Sequence, residues 1–212
     1  MTTNNFNRII LALVASMAAN ASAADLKLSS SDVEQGRRYL EQTRAYVIGA
    51  TKGLSEAQWK FKPAPDRWSI AEVTEHIILT QEFMLGPVKE QLAKTPAASN
   101  PDAKAVDAVV MGKFPDRSTK FQAPEMLQPK GQLTLAEAVA RLNRNCDRLI
   151  DYLQTTPDLR QHTIEALPVK ALSNGAYSTM DGYEWILAAA AHTERHTKQI
   201  LEVRADPAFP AR

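Results

Sequence analysis

DGYEWILAAAAHTERHTKQILEVR, residues 181–204, reads as one long helix that opens on its own start signal. Asp181 is a capping residue and Glu184 stands three positions later, the arrangement in which each side chain satisfies a free backbone N–H of the other's end of the turn. Met180 and Trp185 bracket that cap as an apolar pair. Beyond it Ile186, Ala190, Ile200 and Val203 recur at helical spacing, so the segment has one face to bury and cannot stand alone.

Working outward, the same start signal occurs at Ser31/Glu34, Ser69/Glu72 and Thr134/Glu137, and Trp68 with Val73 repeats the bracketing pair. The apolar stripes that follow are Val33, Leu40, Val47 and Leu54, then Ile70, Val73, Ile77 and Met84, then Leu135, Leu142, Cys146, Leu149 and Leu153. Four amphipathic helices and little alternating pattern predict an all-α four-helix bundle over residues 24–212. GLSEAQWKFKPAPDRWS, residues 53–69, predicts an ordered corner anchored by Trp59 and Trp68, with Arg67 placed to bond it. Residues 95–133 form a long proline-rich crossover between helices two and three, with a short helix around Ala103 to Met111. The tail DPAFPAR ends the fourth helix and is expected to be loosely ordered.

The first 23 residues carry Arg8, an apolar run from Ile9 to Ala19 and the small residues Ala21, Ser22 and Ala23, the pattern of a cleavable signal peptide. A periplasmic or secreted protein of 189 residues is expected, with no stable membrane anchor. Arg8 is the leader's one charge, so the mature chain holds 24 basic and 24 acidic residues, and no long-range field draws it to nucleic acid. The single cysteine, Cys146, excludes an intramolecular disulfide and falls on an apolar stripe, as a structural thiol does.

Two of the four histidines, His192 and His196, lie four residues apart, about 40° around a helix and about 6 Å along it, so their rings can converge on one ion. The sequence differs from the HExxH of zinc peptidases: Glu194 sits two residues after His192, about 200° around, and is expected to face solvent. His76 lies on the inward stripe of helix two beside Ile77 and offers a third ligand. Gln199 and Thr80, each about a turn beyond a histidine, are placed either to orient ligands or to bond between helices. Glu72 is accounted for by its cap, and His162 falls in a polar connection as a surface residue. The other reading of the inward histidines is a set of packed core residues with ordinary hydrogen-bond partners.

RWSIAEVTEH at 67–76, FPDRSTKFQAPEMLQPKG at 114–131 and HTERHTKQI at 192–200 together resemble the DinB-like superfamily of four-helix metalloenzymes. The resemblance implies up-down-down-up connectivity, a divalent metal held by three histidines matching His76, His192 and His196, and dimers as a common state. Related proteins transfer low-molecular-weight thiols such as bacillithiol or use mycothiol in isomerisation. Those thiols are cytosolic, so the leader argues against thiol transfer. The expectation is an exported metal-dependent hydrolase or transferase using zinc, nickel or iron on an unidentified small-molecule substrate. Its alternative is a non-catalytic exported stress module that binds a metal or ligand. No carboxylate general base is evident on the metal face.

Overall fold

A computed structural model of the chain describes residues 27–98 and 100–211; the leader expected over residues 1–23 lies outside them. Its long helices are α1 (Ser30–Thr51), α3 (Ile70–Phe83), α6 (Leu135–Thr155) and α8 (Gly182–Arg204). α1 packs against α8 and α6, and α3 packs against the same two, which closes a four-helix bundle with α1 diagonal to α3. Short elements decorate it: α2 (Glu56–Lys60), α4 (Lys89–Lys94), α5 (Ala103–Lys113), α7 (Leu167–Leu172), and the strands β1 (Thr163–Glu165) and β2 (Thr179–Asp181).

The core forms two main apolar clusters. One gathers Leu40, Met84, Leu149, Leu153, Tyr183 and Leu187. The other gathers Val47, Ile70, Val73, Ile77, Leu142 and Ile200. α1 and α8 run from the first cluster into the second, and α3 and α6 run from the second into the first. Between them the buried residues turn polar, with Thr43, Gln81, Asn145, Thr193 and Thr197. That change of chemistry midway along the helices makes room for a polar site inside an otherwise apolar bundle.

Three of the four expected helix starts form their reciprocal caps, at Ser69/Glu72, Thr134/Glu137 and Asp181/Glu184. The first is displaced: Ser29 and Asp32 cap α1, not Ser31 and Glu34. Asp32 there gains Lys104 at 2.7 Å and the Arg160 guanidinium at 3.5 Å, whereas Glu34 pairs outside with Arg37 and Arg38. The register that forms is the one whose cap carboxylate meets long-range cations. α3 continues through a π-turn, Met84–Val88, which absorbs Pro87 and delivers the chain to α4.

The expected corner and short crossover helix are present, as α2 and α5. Trp59 is buried and its Nε1 donates to Leu133 O at 2.9 Å, tying the corner to the end of the crossover. The side chain of Arg67 is exposed; only its backbone N–H bonds the corner, to Ala64 O. The expectation of a loose tail fails: Phe209 meets the Phe61 ring edge-on at 5.5 Å, and Pro210 O accepts from Gln58 Nε2 at 2.9 Å. The α6–α8 connection holds an antiparallel pair, β1 and β2, that the sequence pattern gave no reason to expect, since three residues are too few to show alternation.

Candidate metal centre

α3 and α8 pack side by side, and their facing stripes bring His76, His192 and His196 together. One ring nitrogen from each lies within 4.8 Å of the other two. The Nε2 atoms of His76 and His192 are 3.1 Å apart, close to the about 3.4 Å that two nitrogens keep on a tetrahedral ion with bonds of about 2.1 Å. His76 and His196 are buried, and His192 keeps part of its surface open. The fourth histidine, His162, is far from this group in role: half-buried, its Nδ1 donates to Thr95 O at 2.6 Å.

Two of the three outer nitrogens are already committed. His76 Nδ1 donates to Leu127 O at 2.8 Å, and His196 Nδ1 donates to Gln199 Oε1 at 2.8 Å. A neutral imidazole with its proton on Nδ1 has its lone pair on Nε2, so both rings present a ligand atom to the shared space. Burial pushes all three imidazoles toward the neutral form, His196 down to about 3, with the neighbouring histidines adding to the effect on His192 and His196. A site of neutral, convergent, pre-oriented imidazoles fits a divalent cation.

Several neighbours complete the shell. Trp68 lies over His76 with ring centroids 4.9 Å apart, so it belongs to the site as well as to the corner. Gln199 orients His196, but Thr80 does not orient a ring: its hydroxyl donates to the His76 backbone carbonyl at 2.9 Å. Glu194, expected in solvent, accepts from Tyr39 Oη at 2.8 Å and pairs with Lys198, because α1 lies on that side of α8. Glu75, beside His76, is buried, and its Oε2 accepts the backbone N–H groups of Lys130 and Gly131 at 2.9 and 2.5 Å. Gly131 needs its glycine, since φ is +67° and a Cβ would lie 3.1 Å from Glu72 Cγ. Cys146 is buried in the core, and that burial pushes its thiol up to about 11, which suits packing and not nucleophilic attack.

Residues 39–200, which hold all three histidines and the crossover, match the model of the DinB superfamily. The chain belongs to the DinB superfamily. The uncharacterized protein YuaE of Bacillus subtilis (strain 168) is 26% identical over 167 residues, covering 77% of this chain and 93% of that one. The solved structure of YfiT from Bacillus subtilis, described as a probable metal-dependent hydrolase with an unusual four-helix bundle topology, superposes with a TM-score of 0.54. It is 16% identical and covers 84% of this chain and 88% of that chain. The fold shared with YfiT accounts for the bundle. In this chain Leu127, Gln199 and Trp68 are set around the rings by the crossover, the last helix and the corner.

Proposed function

We propose that this protein is an exported metal-dependent hydrolase or transferase whose divalent ion, zinc, nickel or iron, is held by the Nε2 atoms of His76, His192 and His196. The observation that carries the reading is the convergence of three neutral imidazoles, two of them locked by outer acceptors into the tautomer a ligand needs. A divalent ion on three imidazoles supplies Lewis acidity and acidifies a water or thiol near neutral pH, and three protein ligands leave room for substrate. Leu127 and Gln199 hold the rings in place, Trp68 covers His76, and the open side of His192 is where a small substrate would approach. The description of YfiT supports hydrolysis as the reaction class. The leader pattern of residues 1–23 supports export.

The deciding experiment is the metal content of chain exported in its native manner and never exposed to a nickel column, beside His76→Ala and His192→Ala. About one divalent ion per chain, absent from both variants, is the expected result. Protein that takes up no zinc, nickel or iron would sink the reading. N-terminal sequencing of the exported protein should begin at Ala24.

A further inference from the structure

The crossover is held to the metal-bearing helices by contacts that neither its length nor its apolar content requires. Arg195, one residue before a ligand histidine, is buried and donates through Nη1 to Asp116 O and through Nη2 to Thr119 O. Lys198 Nζ reaches Pro115 O at 3.4 Å. Arg117 points the other way, from the crossover onto α8: Nε and Nη2 grip the two carboxylate oxygens of Glu202 at 2.7 and 2.9 Å, and Nη1 donates to Gln199 Oε1 at 3.2 Å. Gln199 Oε1 is the same atom that accepts from His196 Nδ1.

An amide can present either its oxygen or its NH2 to a neighbouring ring nitrogen, and the choice sets which imidazole nitrogen carries the proton. A guanidinium has donors only, so Arg117 can be received by the oxygen and never by the NH2. With Arg117 in place the Gln199 oxygen is fixed between the two donors, His196 must keep its proton on Nδ1, and Nε2 is left as a lone pair aimed at His76 and His192. Without Arg117 the amide is free to turn over, and a ring that accepts from its NH2 carries the proton on Nε2 and cannot ligate.

We propose that Arg117 is a positioning residue for the metal centre, selecting through Gln199 the ligating tautomer of His196, so that the crossover around residues 115–119 and metal binding are one coupled unit. The inference rests on the three-histidine metal reading and goes beyond it. By linkage, the crossover raises metal affinity and metal binding protects the crossover by the same factor.

The test is zinc affinity by chelator competition on the full mature chain, for wild type, Arg117→Met, Arg117→Lys and Glu202→Gln, with visible spectra of the cobalt-loaded forms. Arg117→Met should lower affinity by about 10- to 100-fold at unchanged stoichiometry and alter the cobalt spectrum. Arg117→Lys, which still donates, should recover part of the loss. Glu202→Gln removes the ion pair and leaves the Gln199 contact, so it should change affinity far less. In a Gln199→Met background, Arg117→Met should have no further effect. Zinc should slow proteolysis within residues 115–131 of wild type and do so less in Arg117→Met. Wild-type affinity in Arg117→Met, with full stoichiometry, would overturn the proposal and leave the metal reading standing. An equal loss in Glu202→Gln would reduce Arg117 to a loop anchor. Wild type that binds no metal would remove the metal reading itself.

Discussion

Around Arg160 the bundle buries four carboxylates, and around His192 it gathers three imidazoles, two of them buried, yet the two centres are finished differently. Arg160 Nη2 pairs with Asp107 at 2.7 Å and Nη1 with Asp181 at 3.1 Å, while Asp32 and Glu184 stand at 3.5 and 3.7 Å. The Tyr183 ring lies 4.2 Å from the guanidinium carbon, and Asn100 donates to both Asp181 and Glu184. Asp32 and Asp181, with Glu184, also cap α1 and α8, so no nitrogen or oxygen of the group is buried without a partner. The histidine centre has outer acceptors for His76 and His196, and within it the Nε2 atoms of His76 and His192 have only each other, 3.1 Å apart, to share a proton that an entering cation would displace. A polar centre that closes on itself is architecture; one whose lone pairs converge on a common space is built for something else to enter.

Removing one member of each centre separates the two kinds. Arg160→Met leaves Asp181 buried without a cation and Asp107 with only the exposed Lys104 at 3.7 Å, and should cost about 3–5 kcal/mol of folding stability in urea. The fraction that folds should still bind metal in full. A small stability change, or lost metal uptake, would erase the distinction drawn between the centres. His192→Ala should behave in the opposite sense, with little change in the metal-free protein. Zinc at about a hundred times its dissociation constant should stabilise wild type by about 2.7 kcal/mol and His192→Ala not at all. If the metal-free variant falls as far as Arg160→Met, the histidines are core residues.

The pH dependence sharpens the contrast, because the two centres fail at opposite ends. Burial holds His196 down at about 3, against an ordinary 6.5 in the unfolded chain. Its folded value is depressed, so its contribution is present above pH 6.5 and is lost as pH falls toward 3. Burial and the Asp181 charge push Glu184 up to about 9 from 4.5. Its folded value is raised, so its contribution is present below pH 4.5 and is lost as pH rises toward 9. Metal-free wild type should therefore lose stability in both directions. Glu184→Gln, which keeps an oxygen for the cap, should flatten the alkaline side alone. Urea midpoints from pH 5 to 9 decide it, and an unchanged alkaline slope in that variant would mean Glu184 stays ionised.

What the sequence reveals follows the range of the interaction. The caps at Ser69, Thr134 and Asp181 are three-residue patterns, and the histidines sit at helical spacing on apolar stripes, so both are legible without knowing the neighbours. The outer shell is a product of tertiary path. Leu127 acts through a backbone carbonyl, which any residue carries, and Arg117 reaches Gln199 across 82 positions. Phe209 finds Phe61 for the same reason, which is why the tail reads as loose and folds as docked. Trp68 is the outer neighbour whose place is most nearly local, since it stands eight residues before His76 on the approach to its helix.

The start of α1 isolates this point in one pair of serines, with the smallest effect and the cleanest comparison. Ser29 and Ser31 each precede an acidic residue by three, and the local pattern favours Ser31, whose partner is a glutamate. Ser29 Oγ accepts from Asp32 N at 3.1 Å, and Asp32 in turn meets Lys104 and the edge of the Arg160 centre. Choosing this register places a carboxylate in the closed polar centre, whereas the Ser31 register would leave Glu34 as the cap and Asp32 without that role. Ser29→Ala should cost about 1 kcal/mol, the usual value of a lost cap, while Ser31→Ala, an exposed position within the helix, should stay within about 0.5 kcal/mol of wild type. In an Arg160→Met background the Ser29→Ala cost should shrink, because Asp32 no longer has the buried cation that fixed the choice. Equal costs for both serines would mean that the helix start is set locally and that the Arg160 centre merely tolerates it.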